Sequence, residues 1–165
     1  MNIVIYDIHD ELFHTLEFKD EIFEINAKNN AAPCQGCFKC WLKNAGYCAI
    51  KDSLQHIGAA IGASDKITII SEICYGGYSS LIKRVIDRSI SLSIPFFTYR
   101  EWKTHHIKRY HQNHQMLSVY FYGKSSGLEQ ETAKELVKMN SINMGIEETE
   151  IVFVDAADEL RGRVL

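Results

Sequence analysis

Residues 66–88 read KITIISEICYGGYSSLIKRVIDR. Lys66 to Ser71 is apolar and β-branched, the mark of a strand buried on both faces. Paired glycines flanked by Tyr75 and Tyr78 then break the run. From Ser79 the period changes. Leu81, Ile82, Val85, Ile86 and Ile90 recur at helical spacing, with Lys83, Arg84, Asp87 and Arg88 read as the helix surface. Asp87 is placed to pair with Arg84 or Arg88. Strand, glycine turn and helix in 23 residues form the repeating unit of a parallel α/β protein.

The same unit recurs on both sides. Upstream, Asn2 to Asp7 (NIVIYD) and Glu21 to Asn26 (EIFEIN) read as strands. Asp52 with Gln55 three residues on forms a capping-box pattern, and Leu54, Ile57 and Ile61 give the following helix an apolar face. Downstream, Met116 to Tyr122 (MLSVYFY) and Glu150 to Val154 (EIVFV) are strands. Between them lies a helix whose capping box is Ser126 and Glu129. Residues 93–114, aromatic, basic and rich in histidine, read as a long functional loop. The order predicts one domain over residues 1–165, a doubly wound sandwich around a five-stranded parallel sheet. Ligands in such sheets sit at the carboxyl ends of the strands. Here that selects His9 to Thr15, Cys74 to Ser80, and Gly123 to Gly127.

Composition narrows the function. A net charge of -3 gives no reason to expect nucleic acid or an anionic membrane surface as partner. No apolar run approaches the ~20 residues of a membrane helix. The amino terminus lacks the basic start and apolar core of an export signal, and five cysteines is an odd number. Together these predict a cytoplasmic protein with reduced thiols.

Four of those cysteines crowd into residues 33–52, PCQGCFKCWLKNAGYCAIKD. Cys34, Cys37, Cys40 and Cys48 stand at C-x2-C-x2-C-x7-C. Thiolates at this spacing suit an iron–sulfur cluster, a zinc ion, or simply reduced thiols in a tight loop. His105, His106, His111 and His114 are a second candidate metal set, irregularly spaced among basic neighbours.

The runs PCQGCFKCW…GYCAIKD and CYGGYSSLIKRVIDR, in this order and at this spacing, resemble the flavodoxin-like NAD(P)H-dependent FMN reductases, in particular the iron–sulfur flavoproteins. The resemblance covers residues 33–92, and the remainder in strand–helix order only. It implies a flavodoxin-like sheet of order 2-1-3-4-5, FMN as cofactor and NAD(P)H as co-substrate. It further implies a small electron acceptor such as a quinone or flavin, a homo-oligomer, and [4Fe–4S] on Cys34, Cys37, Cys40 and Cys48. On this resemblance Cys74, Tyr75, Gly76, Gly77, Tyr78 and Ser79 wrap the flavin ring, with Tyr122 and Gly123 along it. No side chain is singled out for acid–base catalysis. One departure stands out. Where the resemblance implies a glycine- and serine-rich phosphate loop, this chain reads YDIHDELFHTL, with Asp7, Asp10 and Glu11 in place of phosphate ligands. That departure favours an alternative, an electron-carrier or binding module with weakened or lost FMN binding.

Overall fold

The computed structural model describes residues 2–100, 102–110 and 116–165. Five parallel strands make its sheet: β1 (Asn2–Tyr6), β2 (Ile22–Asn26), β3 (Lys66–Cys74), β7 (Met116–Tyr122) and β8 (Glu148–Val154). They lie in the order β2-β1-β3-β7-β8, so β1 and β3 are central and every neighbouring pair is parallel. This is the predicted flavodoxin-like order. The short β4 (Gly77–Tyr78) adds antiparallel to the end of β3.

One face of the sheet packs on three helices: α3 (Ile57–Gly62), α4 (Ser80–Arg88) and α5 (Gly127–Met144). Ile3, Ile5, Ile67, Ile69, Leu117 and Val119 point to that side and meet Ile61, Ile82, Val85 and Val137. Val4, Tyr6, Ile70 and Tyr120 point to the other, as the two-residue period of a strand requires. There the cover is thin. A single turn, α1 (Asp10–Phe13), supplies Leu12 and Phe13, and the tail supplies Leu160 and Leu165. The tail returns to the first connection: Val164 bridges Glu17, and the Leu165 amide donates to the Glu17 carbonyl. Among the described residues no helix is long and apolar enough to cross a membrane.

Three expectations need correction. Asp52 does not start the helix. Its carboxylate accepts from the Ala32 and Leu54 amides in a turn, and α3 begins five residues later. Residues 93–108 are not a loop but an antiparallel ribbon, β5 (Ser93–Arg100) and β6 (Lys103–Lys108), with Phe97 opposite His106 and Thr98 opposite His105. Arg84 and Arg88 are not surface charges paired with Asp87. Arg84 donates to the Ala27 and Ala31 carbonyls, while Arg88 is buried against Asp52.

Candidate functional site

The carboxyl ends of β1, β3 and β7 meet in a buried polar knot. Asp7 follows β1 directly and is 3% exposed. Its carboxylate accepts from the Glu72 amide at 3.1 Å and from the Tyr122 hydroxyl at 3.1 Å. Burial raises its pKa, against the pull of the Ser79 hydroxyl and of the Glu72 and Tyr122 donors. Burial, then the neighbouring Asp7 carboxylate, pushes the Tyr122 phenol far up in turn. Ser71 Oγ accepts from the Ser79 amide, and Ser79 Oγ caps α4 by accepting from the Ile82 amide. The segments Cys74–Ser79 and Tyr122–Gly123 are therefore fastened to one another at the sheet's carboxyl edge.

Cys74 to Tyr78 is a hairpin. Tyr75 and Gly76 are its two central residues, with φ of 52° and 73°, the double positive φ of a type I′ turn. The turn lifts Tyr75 into solvent at 97% exposure and buries Tyr78 at 2%. Burial raises the Tyr78 phenol to about 12. Both glycines lean on α5. A Cβ at Gly76 would stand 2.8 Å from Thr132 Cβ, and one at Gly77 would stand 3.3 Å from Leu136 Cδ2. The close approach they permit is to that helix. Cys74, Tyr75, Gly76, Gly77 and Tyr78 also line an open pocket with Lys83, Thr132 and Leu136. A planar ligand lying there would meet an exposed aromatic ring and a lysine.

The connection after β1 has the opposite character. Tyr6 and Phe13 stack with ring centres 3.7 Å apart, which folds α1 back on the sheet. Asp10 is held by the Tyr6 hydroxyl at 3.1 Å and Asn26 Nδ2 at 2.6 Å. The first turn of α1 thus presents Asp10 and Glu11 and no cation. Thr15 donates to the Leu12 carbonyl and accepts from Arg161, which arrives from the tail. An acidic turn of four residues offers a phosphate repulsion rather than a cradle. The ring-binding half of a flavin site fits this chain; the usual phosphate-binding half does not.

The cysteine pocket meets α4 at its carboxyl end, at Arg88. Cys34, Cys37, Cys40 and Cys48 all line one pocket, walled further by Ala49, Ile50, Ile90 and Arg88. A left-handed Phe38 starts the single turn α2 (Lys39–Leu42), and the Trp41 indole donates to the Ile90 carbonyl at 3.0 Å. Burial raises the Cys40 thiol, and Cys48, Cys34 and Cys37 add to the rise in that order. All five cysteines are unpaired. Among the described residues no three His, Cys, Asp or Glu side chains can hold one metal ion. Four thiols beside the apolar Ala49, Ile50 and Ile90 and the Arg88 cation form a donor set whose chemistry suits an iron–sulfur cluster.

The histidines do not gather. His105 and His106 are consecutive in β6 and face opposite ways. His105 Nδ1 meets Asn143 Oδ1 at 2.9 Å, whereas His106 stacks on Phe97 and packs at a tilt against Trp41. His111 and His114 lie outside the described residues. What sequence reading missed most is Arg88. Its signal was available: with Leu81 and Val85 it falls at i, i+4 and i+7, on the apolar stripe of α4.

No family model matches the chain. It is 30% identical over 73 residues to an iron–sulfur flavoprotein of Methanosarcina thermophila, covering 44% of this chain and 36% of that protein. It is 38% identical over 64 residues to an iron–sulfur flavoprotein of Methanocaldococcus jannaschii, covering 39% of this chain and 32% of that one. Each match spans about a third of the relative's length. Among solved structures, an FMN-dependent NADH-azoreductase of Bacillus anthracis in complex with FMN superposes with a TM-score of 0.57 at 15% identity, over 95% of this chain and 88% of that one. The azoreductase AzrA superposes at 0.58 and 11% identity, over 96% and 89%. The resemblance to iron–sulfur flavoproteins thus rests on sequence, and the flavodoxin-like fold on structure.

Proposed function

We propose that this chain is an FMN-dependent oxidoreductase that takes a hydride from NAD(P)H and passes two electrons to a small acceptor such as a quinone or another flavin. The observation that carries the reading is the placement of the hairpin and the cysteine pocket at the two ends of α4. The Cys74–Ser79 hairpin adjoins its amino end, and the pocket of four cysteines reaches Arg88 at its carboxyl end. Eight helical steps separate Ser80 from Arg88, a rise of about 12 Å. The flavin supplies the hydride chemistry when bound. The chain's own residues position the ring: Tyr75 offers a stacking face, Cys74 and Gly123 edge the site, and the Asp7–Tyr122 knot holds both segments still. Cys34, Cys37, Cys40 and Cys48 would ligate an iron–sulfur cluster that relays electrons singly.

The names of the relatives support this reading, as does the retained hairpin. The protein would act as a homo-oligomer in a reducing, cytoplasmic setting. Phe96, Phe97, Tyr99 and Trp102 are each at least 65% exposed on the β5–β6 ribbon, an apolar cover that a second copy would bury.

One observation favours a second reading. Asp10 and Glu11 open the turn after β1, where the resemblance implies a phosphate loop, and this suits an electron carrier or binding module with weak FMN affinity. Titration of the purified protein with FMN and with riboflavin, followed by flavin fluorescence, separates the two. Uptake of flavin with NAD(P)H oxidation supports the oxidoreductase, and near-equal affinities would mean the phosphate is not recognised. No uptake of either flavin leaves only the second reading.

A further inference from the structure

Arg88 closes the floor of the cysteine pocket, and its hydrogen bonds are unevenly spent. It is 1% exposed. A guanidinium carries five N–H donors. NH1 donates to the Ala32 carbonyl at 2.6 Å and to Asp52 Oδ2 at 2.8 Å. NH2 donates to Asp52 Oδ1 at 2.7 Å and to the Ile50 carbonyl at 3.5 Å. Ala32 and Ile50 flank the two ends of the cysteine stretch, so these four bonds clamp the loop shut from below. The fifth donor, Nε–H, is buried and makes no hydrogen bond of ordinary length and angle, although the Cys48 side chain stands beside the guanidinium. Buried donors in folded proteins are nearly always satisfied, so this N–H calls for an acceptor, and the Cys48 side chain is the neighbour at hand. Its neighbours across that wall are cysteines, and Cys48 is close enough to stabilise the guanidinium charge.

We propose that the Nε–H of Arg88 donates a hydrogen bond to the Cys48 sulfur of an iron–sulfur cluster seated in this pocket, making Arg88 a positioning residue that sets the cluster's reduction potential. The proposal rests on the cluster reading given above. Asp52 neutralises the guanidinium through two short bonds, so a full positive charge is not left facing the thiolates. What remains is one directed N–H dipole. Hydrogen bonds to sulfur are among the few means by which a protein moves a cluster's potential. A donor stabilises the more negative, reduced state more strongly, and so raises the potential. Lysine at this position would keep a cation for Asp52 but has no donor on its stem to face the sulfur.

The test uses whole protein labelled with 15N-arginine and loaded anaerobically with ferrous iron and sulfide. Pulsed EPR of the dithionite-reduced cluster is expected to show a coupled arginine nitrogen. Arg88→Lys is expected to abolish that coupling and lower the midpoint potential at unchanged iron content. Arg109→Lys, which alters another guanidinium near the loop, is expected to keep both. A cluster that assembles with no arginine coupling overturns the proposal and leaves the cluster reading intact. So does an unchanged potential in Arg88→Lys. Wild-type protein that takes up no iron and sulfide overturns both together, and is told apart by metal analysis alone. The labelling experiment needs no variant, so poor folding of Arg88→Lys would not shelter the idea.

Discussion

Asp7 and Asp52 are two carboxyls that their surroundings push in opposite directions. The Arg88 fork, with the Ala32 and Leu54 amides, holds Asp52 at about 2, below its ordinary 3.8. A depressed carboxyl stabilises the fold above its unfolded value. That contribution is lost as pH falls from 3.8 through about 2. Asp7 is raised by burial, so the folded protein binds its proton more tightly than the unfolded chain. Its effect runs the other way: stability falls as pH rises from 3.8 through the raised value. Urea unfolding across pH should show both limbs. Asp7→Asn should flatten the upper limb, and an unaltered slope there would contradict the assignment. Asp52→Ala should cost about 3 kcal/mol at neutral pH, because it strands a buried guanidinium. These two residues also mark a limit of sequence reading. From sequence Asp52 reads as a helix cap and Arg88 as a charge on a helix surface, and neither holds, because their union joins positions 36 apart and nothing local announces it.

At the scale of elements, local chemistry was legible wherever local chemistry decides. Ser126 and Glu129 form the full capping box that their spacing predicts, and α5 follows from it. Ser79 caps α4 with its hydroxyl alone, since Ile82 at the third helical position has no side-chain acceptor to reciprocate. The β5–β6 ribbon was not legible because the side it buries carries polar residues such as His105 rather than an apolar alternating pattern. Aromatic and charged residues mix on both its strands, and the long run reads as loop. The glycine pair was located from sequence, but the cause differs in part. Gly76 adopts a φ of 73° and stands against Glu129 and Thr132 of α5. Gly76→Ala should therefore push the hairpin off α5, destabilise the fold by about 1–3 kcal/mol, and weaken flavin binding in parallel. A variant with full stability and lost flavin affinity would show instead that the glycine touches the ligand directly.

For the whole molecule, the strand order β2-β1-β3-β7-β8 was readable because alternating strands and helices admit few right-handed windings. The thin second layer comes from the brevity of HDELFHTL, which leaves room for only the single turn α1. Its consequence was not readable: the tail folds back on that connection and Arg161 reaches Thr15. The exposed ribbon sets an expectation for assembly. Phe96 is 67% exposed and Trp102 90%. The wild type should sediment as a dimer or larger, and the double variant Phe96→Asp, Trp102→Asp should shift it to monomer with an unchanged circular dichroism spectrum. A wild type that is monomeric at every concentration removes the oligomer from the account.

The whole account converges on a flavin held at the Cys74–Ser79 hairpin and reduced by a nicotinamide. The most direct measurement is the visible spectrum of anaerobically purified protein, supplied with FMN, before and after addition of NADH or NADPH. The account predicts bound-flavin absorbance that bleaches with one of the two and returns when a quinone is added. A colourless protein that retains no added FMN after gel filtration would contradict it.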